Sequence, residues 1–129
     1  AASKEAPAKV INIASIDGIF VNPGETYSYG ASKAAVIHLT RRMATKLIKD
    51  NINVTAIAPG AFASDMNRAA RDQSDELARR IPSRRIGTVE DMAGIAIYLA
   101  SRAGDYVVGN TIAVDGGVVY ANAGLEISG

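Results

Sequence analysis

Two short, mostly β-branched apolar runs, separated by a helix-length stretch, constrain the fold of this chain more than any other feature. The first run is Val10-Ile-Asn-Ile-Ala14, and the second is Ile52-Asn-Val-Thr-Ala-Ile-Ala58. Strands of a parallel sheet that is covered on both faces have this composition. The Ala-rich segment 27–49 between them is long enough for the helical crossover that parallel neighbours require. The pattern therefore predicts a βαβ unit in an α/β fold.

The remaining sequence predicts two further helices and a third strand. Residues 65–80 are rich in Asp, Arg and Gln, which suits a helical lid over a substrate. Thr88-Val-Glu-Asp91 is a capping-box pattern that opens a helix to about Ser101, and Gly104 ends it. Residues 110–114 form the last predicted strand. We expect three parallel strands in sequential order, flanked by helices and joined by right-handed crossovers.

Ser15 directly follows the first predicted strand, where Ile16-Asp-Gly18 breaks the apolar pattern. In open α/β sheets the active crevice lies outside the carboxyl ends of the strands, so Ser15 is a candidate site residue. A turn serine that hydrogen-bonds its own backbone is an equally good interpretation. Asn12, inside the strand, needs a hydrogen-bond partner if it is buried, and we expect it to tie the strand to a helix.

Tyr29 and Lys33 stand four positions apart at the start of the long predicted helix. Side chains with this spacing share one helix face. A nearby ammonium favours the phenolate form and lowers the pKa of a phenol, which makes tyrosine usable as a general acid or base. The alternative is an ordinary exposed helix pair.

The loop Pro59-Gly-Ala-Phe-Ala-Ser64 follows the second predicted strand. Proline ends the strand, and Gly60 allows the backbone to approach a ligand closely. Ser64 offers a hydroxyl at the end of this loop. The alternative is a plain strand-to-helix turn in which Ser64 or Asp65 is the helix N-cap.

Taken in order, these motifs and those downstream resemble the short-chain dehydrogenase/reductase family from about Lys9 to Gly117, and within it the β-ketoacyl-carrier-protein reductase-like branch. The motifs are Asn12-Ile-x-Ser15, Tyr29-Gly-Ala-Ser-Lys33, Asn53-Val-x-x-Ile-x-Pro-Gly-x-x-x-Ser64, Ile81-Pro-Ser-Arg-Arg-Ile-Gly87, Glu90-Asp-Met-Ala93 with Tyr98-Leu-Ala-Ser101, and Gly109-Asn-Thr-Ile-Ala-Val-Asp-Gly-Gly117.

The resemblance implies a Rossmann-like, doubly wound parallel sheet and an NAD- or NADP-dependent oxidoreductase that transfers hydride between a carbonyl and an alcohol. Tyr29 would exchange the proton at the substrate oxygen, and Ser15 would hydrogen-bond the same oxygen. Lys33 would bind the nicotinamide ribose and act on Tyr29. The implied cofactor-binding residues are Tyr29, Lys33, Pro59, Gly60, Phe62 and Ser64.

Two local departures accompany the resemblance. The spacing from Ser15 to Tyr29 is one residue longer than the commonest family spacing, so Asn22-Pro-Gly-Glu25 is expected to enlarge the loop. Ser64 stands where the family more often has threonine, which retains the hydroxyl.

The larger departure is that the 129 residues contain no G-x-x-x-G-x-G or G-x-G-x-x-G turn to bind a cofactor pyrophosphate. We therefore expect residues 1–129 to be a partial domain, the catalytic, C-terminal half of such an enzyme. The residues that would discriminate NAD from NADP belong to the other half. The alternative is a catalytically silent fragment that serves as an oligomerisation or binding module.

Composition narrows the class of partner. A net charge of +1 makes no electrostatic case for nucleic acid, and the chain contains no cysteine and a single histidine, His38. No stretch approaches the ~20 apolar residues of a membrane span. Arg79, Arg80, Arg84 and Arg85 form the densest charge cluster, interpreted as a solvated or internally paired face rather than a phosphate or carrier-protein site. We expect a cytoplasmic homo-oligomer, a dimer or tetramer, acting on a small carbonyl or alcohol compound without a metal.

Overall fold

A computed structural model describes residues 1–24, 27–63 and 68–123. Its strands and helices are β1 (Ala8–Ile13), α1 (Tyr27–Leu47), β2 (Ile52–Pro59), α2 (Arg68–Arg79), α3 (Val89–Ala100) and β3 (Thr111–Val114). Short 3-10 turns cover Ile16–Gly18, Ile48–Asp50 and Arg102–Gly104. The predicted elements are therefore present. In the described parts of the chain, no helix combines the length and hydropathy that a bilayer span requires.

The strands form one parallel sheet in the order β1-β2-β3. Val10 pairs with Val54 and Ile13 with Ile57, while Pro59 at the end of β2 pairs with Val114 of β3. The carboxyl ends of the strands consequently lie along one edge of the sheet. This arrangement confirms the predicted three-stranded parallel sheet in sequential order.

Burial differs between the strands. Val54, Ala56 and Ala58 of the central strand are each 0% exposed. β1 is less covered than its composition predicts, since Ile13 is 54% exposed and no residue of the strand is fully buried. The physical reason is position, because β2 has a strand on each side whereas β1 has one only, within the described residues.

Helices pack on both faces of the sheet. Asn12 donates from Nδ2 to Thr40 Oγ1 of α1 at 3.0 Å, and Thr40 is 0% exposed. Lys9, three residues earlier and so on the opposite face, donates from Nζ to the α3 carbonyls of Leu99 (3.1 Å) and, just beyond the helix, Ser101 (2.8 Å). A cation at a helix C-terminus is favourable for the helix dipole. Asn12 thus ties β1 to a helix as predicted, and Lys9 makes the matching attachment on the other face.

The predicted capping box opens α3. The Asp91 carboxylate accepts the Thr88 backbone N–H at 2.8 Å and a bidentate pair from Arg85 at 2.7 and 3.0 Å. The hydrogen bonds from Arg85, followed by that from the Thr88 backbone, hold the pKa of Asp91 well below its usual range. The same Asp91 hydrogen bond and charge raise the pKa of Arg85.

The other arginines of the cluster are also paired in part. The Arg80 Nη2 lies 3.6 Å from the Glu76 Oε1. Arg84 donates to the carbonyl of Arg79 near the end of α2. The arrangement agrees with the interpretation of an internally paired face.

We expect Asp91→Asn to lower the melting temperature by roughly 2–5 °C at pH 7, because the charged cap and its ion pair are lost. Since folding lowers the pKa of Asp91, its stabilisation is complete above the unfolded carboxyl pKa of about 3.9 and declines as pH falls below it. The gap between the two proteins should therefore begin to narrow as pH falls from about 4 to 3. Thermal unfolding between pH 7 and 3 measures this gap. Glu90→Gln, on the same turn, is the control, and an equal loss in that variant would contradict the capping role.

Candidate active site

Ser15 lies at the carboxyl edge of the sheet. The preceding residue, Ala14, still donates its backbone N–H to Ile57 of β2 at 2.7 Å. Ser15 is 8% exposed, and its Oγ accepts the Asp17 backbone N–H at 3.1 Å, which caps the turn Ile16–Gly18. This contact confirms the turn-serine interpretation. It uses only one lone pair, so the hydroxyl proton remains available for a ligand.

Gly18 brings this turn against α1. A Cβ on Gly18 would stand 2.6 Å from the Lys33 carbonyl carbon and 2.7 Å from the Ala34 nitrogen, both backbone atoms of the helix. Only glycine allows so close an approach. Sequence reasoning treated Gly18 merely as a pattern breaker, and the only available signal was a glycine beside a candidate site residue.

Gly18→Ala should destabilise the fold by about 1–3 kcal/mol, because the added methyl group overlaps backbone that cannot move aside independently. Gly94→Ala is the matched control, since a Cβ on Gly94 of α3 meets nothing within 4 Å. That variant should gain roughly 0.5–1 kcal/mol from helix propensity. Thermal unfolding of the pair gives shifts of opposite sign if the close packing is as described, and shifts of equal sign would contradict it.

Tyr29 and Lys33 occupy successive turns at the start of α1. The Lys33 Nζ lies 5.6 Å from the centroid of the Tyr29 ring and donates to the Ile13 carbonyl of β1 at 3.4 Å. The Tyr29 side chain is half exposed. The ammonium is therefore held between the tyrosine ring and the carboxyl end of β1, on the helix face that the spacing predicts.

One cavity of about 360 Å³ lies beside these residues. Its described lining includes Ser15, Tyr29, Pro59 and Gly60, together with apolar side chains from helix α2 and from other segments. Lys33 is not in the lining and adjoins the cavity through Tyr29. The structure thus brings together Ser15, Tyr29 and the start of the Pro59 loop, which the sequence separates by up to 45 positions.

Phe62, predicted as a cofactor-binding residue, does not line the cavity of Ser15 and Tyr29. Its backbone forms an isolated parallel bridge with Gly87, and its ring packs where a Gly87 side chain would stand, 2.6 Å from the position of that Cβ. It lines a second cavity of about 140 Å³ with Arg85 and Asp91 rather than the cavity of Ser15 and Tyr29. Ser64, predicted as a cofactor ligand, lies outside the described residues.

Gly60 has a close neighbour within the protein itself. A Cβ there would stand 2.8 Å from the Asp115 Cβ, and the Gly60 N–H donates to Val114 at 3.0 Å. Contact with the end of β3 is therefore sufficient to require glycine. Upstream, Asn22 accepts the Gly24 N–H at 2.8 Å in the loop that was expected to be enlarged, whose residues 25 and 26 lie outside the described range.

Asp17 is a further cavity residue that sequence reasoning passed over. The motif Ile16-Asp-Gly18 showed a turn, but nothing in it indicated that Asp17 would line the same cavity as Ser15. Asp17 also lines a neighbouring cavity of about 210 Å³ with Phe20, Asn22 and Tyr27. Among the described residues, no group of three or more His, Cys, Asp or Glu side chains is placed to hold a metal ion.

A parallel sheet covered by helices, with a hydroxyl, a phenol and a proline-glycine loop around one cavity at its carboxyl edge, defines a Rossmann-like α/β protein. A family model described as Enoyl-(Acyl carrier protein) reductase matches residues 1–119. The chain belongs to this family of short-chain dehydrogenases/reductases, on the branch that includes the 3-oxoacyl-carrier-protein reductases.

Individual relatives agree with this membership. The chain is 46% identical over 119 residues to the rhamnolipids biosynthesis 3-oxoacyl-[acyl-carrier-protein] reductase of Pseudomonas aeruginosa, covering 90% of this chain and 46% of that protein. It is 50% identical over 112 residues to the 2-dehydro-3-deoxy-D-gluconate 5-dehydrogenase of Dickeya dadantii, covering 84% and 44%. The chain spans about half the length of the curated relatives it matches.

A solved structure with a similar fold is the Pseudomonas aeruginosa RhlG/NADP active-site complex. It superposes with a TM-score of 0.83 at 45% identity, covering 91% of this chain and 48% of that one. The parallel sheet and its helices are therefore those of a short-chain dehydrogenase/reductase.

Proposed function

We propose that residues 1–129 supply the catalytic half of an NAD- or NADP-dependent oxidoreductase that interconverts a carbonyl and an alcohol. The observation that supports this proposal most strongly is the shared cavity of Ser15 and Tyr29 at the carboxyl edge of the sheet. Both are proton-bearing hydroxyl groups, and a carbonyl oxygen in the cavity can accept from both.

In this proposal Tyr29 gives its proton to the carbonyl oxygen during reduction and takes it back during oxidation. Ser15 donates a hydrogen bond to the same oxygen and holds it in place, while its second contact to the Asp17 N–H fixes the hydroxyl. Lys33 contributes a positive charge beside the Tyr29 ring, 5.6 Å from its centroid. A cation at this position stabilises the negative charge that develops on the phenol oxygen during proton transfer.

The donors around the cavity fit the nicotinamide-ribose end of the cofactor. The Lys33 ammonium has three N–H donors and uses one on Ile13, which leaves donors for ribose hydroxyls. Pro59 and Gly60 give the cavity a backbone wall against which a flat ring can lie. NAD(P)H bound there would supply the hydride for the carbonyl carbon. The 129 residues offer no glycine-rich turn for the pyrophosphate, so the proposal assigns that contact to another segment.

We also propose a cytoplasmic homo-oligomer, a dimer or tetramer. The homo-oligomer is supported by the surface of α1, which leaves Ala31, Ala35 and Leu39 exposed along one side. Small apolar residues of this kind allow two helices to approach closely across a two-fold axis.

The proposal is tested in a two-part enzyme, in which residues 1–129 follow the pyrophosphate-binding half of the Pseudomonas aeruginosa reductase. The same protein serves for the unfolding measurements above. Lys33→Ala should lower kcat/KM by roughly 10²-fold, weaken NADP binding and change the pH profile of turnover, since one side chain serves both purposes. Lys46→Ala, which removes an equal charge from the far end of α1, should do none of these. If only NADP binding or only the pH profile changed, the dual role of Lys33 would be wrong.

A further inference from the structure

We propose that the carboxylate of Asp17 sets the charge preference of the catalytic cavity. It favours carbonyl or alcohol compounds that are uncharged near the reacting group, above all those with a hydroxyl or similar hydrogen-bond donor there, and disfavours compounds with a carboxylate beside that group. This inference rests on the proposed function, because it concerns the substrate of the same cavity.

The position of Asp17 is fixed from both sides. Its backbone N–H donates to Ser15 Oγ at 3.1 Å, which couples the position of this residue to that of the serine. The next residue, Gly18, packs directly on the α1 backbone, and the Asp17 carbonyl oxygen lies 3.4 Å from the Cβ position of Gly30. A charge on a segment held in this way stays at a constant distance from the reacting oxygen.

The Lys33 ammonium adjoins the cavity through the Tyr29 ring, but the charge within the described lining itself comes from Asp17. Among the described lining residues, it is the single charged side chain, and Ile16, Phe20, Leu77, Ile81 and Val118 make most of the remaining wall apolar. The Asn22 amide donates to Asp17 Oδ1 at 3.4 Å, and no ion pair joins Asp17 to another described residue.

These surroundings determine what the carboxylate can do. An ionised carboxylate accepts hydrogen bonds and donates none, so free lone pairs in the cavity suit a hydroxyl or amine of a substrate. An apolar wall lowers the effective dielectric constant and strengthens repulsion between Asp17 and a second anion. The relatives of this chain include both a 3-oxoacyl reductase and a gluconate dehydrogenase. Asp17 favours substrates whose cavity-bound part is uncharged.

The test compares ethyl 3-oxobutanoate with the 3-oxobutanoate anion, which have the same reacting ketone and differ in charge. In the two-part enzyme we expect kcat/KM to favour the ester, and Asp17→Asn to reduce that preference by roughly ten- to a hundredfold, mainly through KM for the anion. Asn is isosteric and can still accept from Asn22, so the turn should remain folded. Asp50→Asn, which removes one charge from an exposed turn beyond α1, should leave the preference unchanged.

Equilibrium binding of 3-hydroxybutanoate and its ethyl ester, followed by isothermal titration, separates this inference from the proposed function. An unchanged ester-to-acid ratio in Asp17→Asn, in turnover or in binding, overturns the role of Asp17 even if both proteins are active. Absence of turnover with both compounds counts against the proposed function. In that case the binding ratio alone decides on Asp17, supporting its role if the ratio falls in the variant and overturning it otherwise.

Discussion

Tyr29→Phe in the two-part enzyme is expected to reduce turnover by about 10²–10⁴-fold while leaving the fold and NADP affinity nearly unchanged. The substitution deletes one oxygen atom. Within the described residues that hydroxyl makes no hydrogen bond, and the contact with Lys33 is made through the ring, which phenylalanine retains. Loss of proton transfer is therefore separable from loss of structure.

The measurements are kcat, the Kd for NADP and the melting temperature of the same sample. Tyr27→Phe is the matched control, because Tyr27 stands two residues earlier on α1 with its side chain 80% exposed. Near-normal turnover in Tyr29→Phe would rule out its role as the proton donor. A comparable loss in Tyr27→Phe would show that the effect comes from the start of the helix rather than from the phenol.

The second large effect concerns residues 1–129 expressed by themselves, which we expect to be inactive and to bind NAD or NADP with a Kd above about 1 mM. Hydride transfer requires the nicotinamide to be held at near-attack distance from the substrate carbon. The contacts proposed for Lys33 and the Pro59 loop would reach only one end of the cofactor. The pyrophosphate turn that supplies most of the remaining contacts is not part of these residues.

The same polypeptide should also associate through β1. That strand is at the edge of the described sheet, and Ile13 at its end is 54% exposed. An unpaired parallel edge with apolar side chains is a template for pairing with other chains. Light scattering coupled to size exclusion, together with cofactor titration and turnover, tests both expectations. A monodisperse monomer that binds a nicotinamide cofactor at micromolar concentration and turns over would contradict them, whereas binding without turnover would favour the silent-module alternative.

Much of the fold was predictable because it depends on local pattern. The β-branched runs became β1 and β2 within two residues of their expected bounds, since such residues suit a pleated, covered surface. The capping box Thr88–Asp91 formed because its partners are three residues apart and meet in a single turn. The helix α1 ends at Leu47, slightly before the expected residue 49, and a 3-10 turn follows it to Asp50.

The site was predictable only in part. The i, i+4 spacing placed Lys33 beside Tyr29 because helical geometry determines which side chains are neighbours. The orientation of the Phe62 side chain could not be predicted from the sequence, because it follows from a backbone bridge to Gly87, which is 25 positions away. The burial of β1 was overestimated for a similar reason. The composition of a strand indicates which environments suit it, but not how many strands and helices pack against it.

Patterns in the sequence are sufficient to predict the parallel α/β architecture, the family, and the candidate residues Ser15, Tyr29 and Lys33. Each of these depends on periodicity or on motifs whose parts are close together. Only the tertiary packing brings Ser15, Tyr29 and Gly60 around one cavity and adds Asp17 to its lining. Those relationships depend on the register of β1 against β2 and on the packing of Gly18 against α1. Both are contacts between distant segments, and their geometry is set by side-chain volume and backbone approach, which no local pattern records.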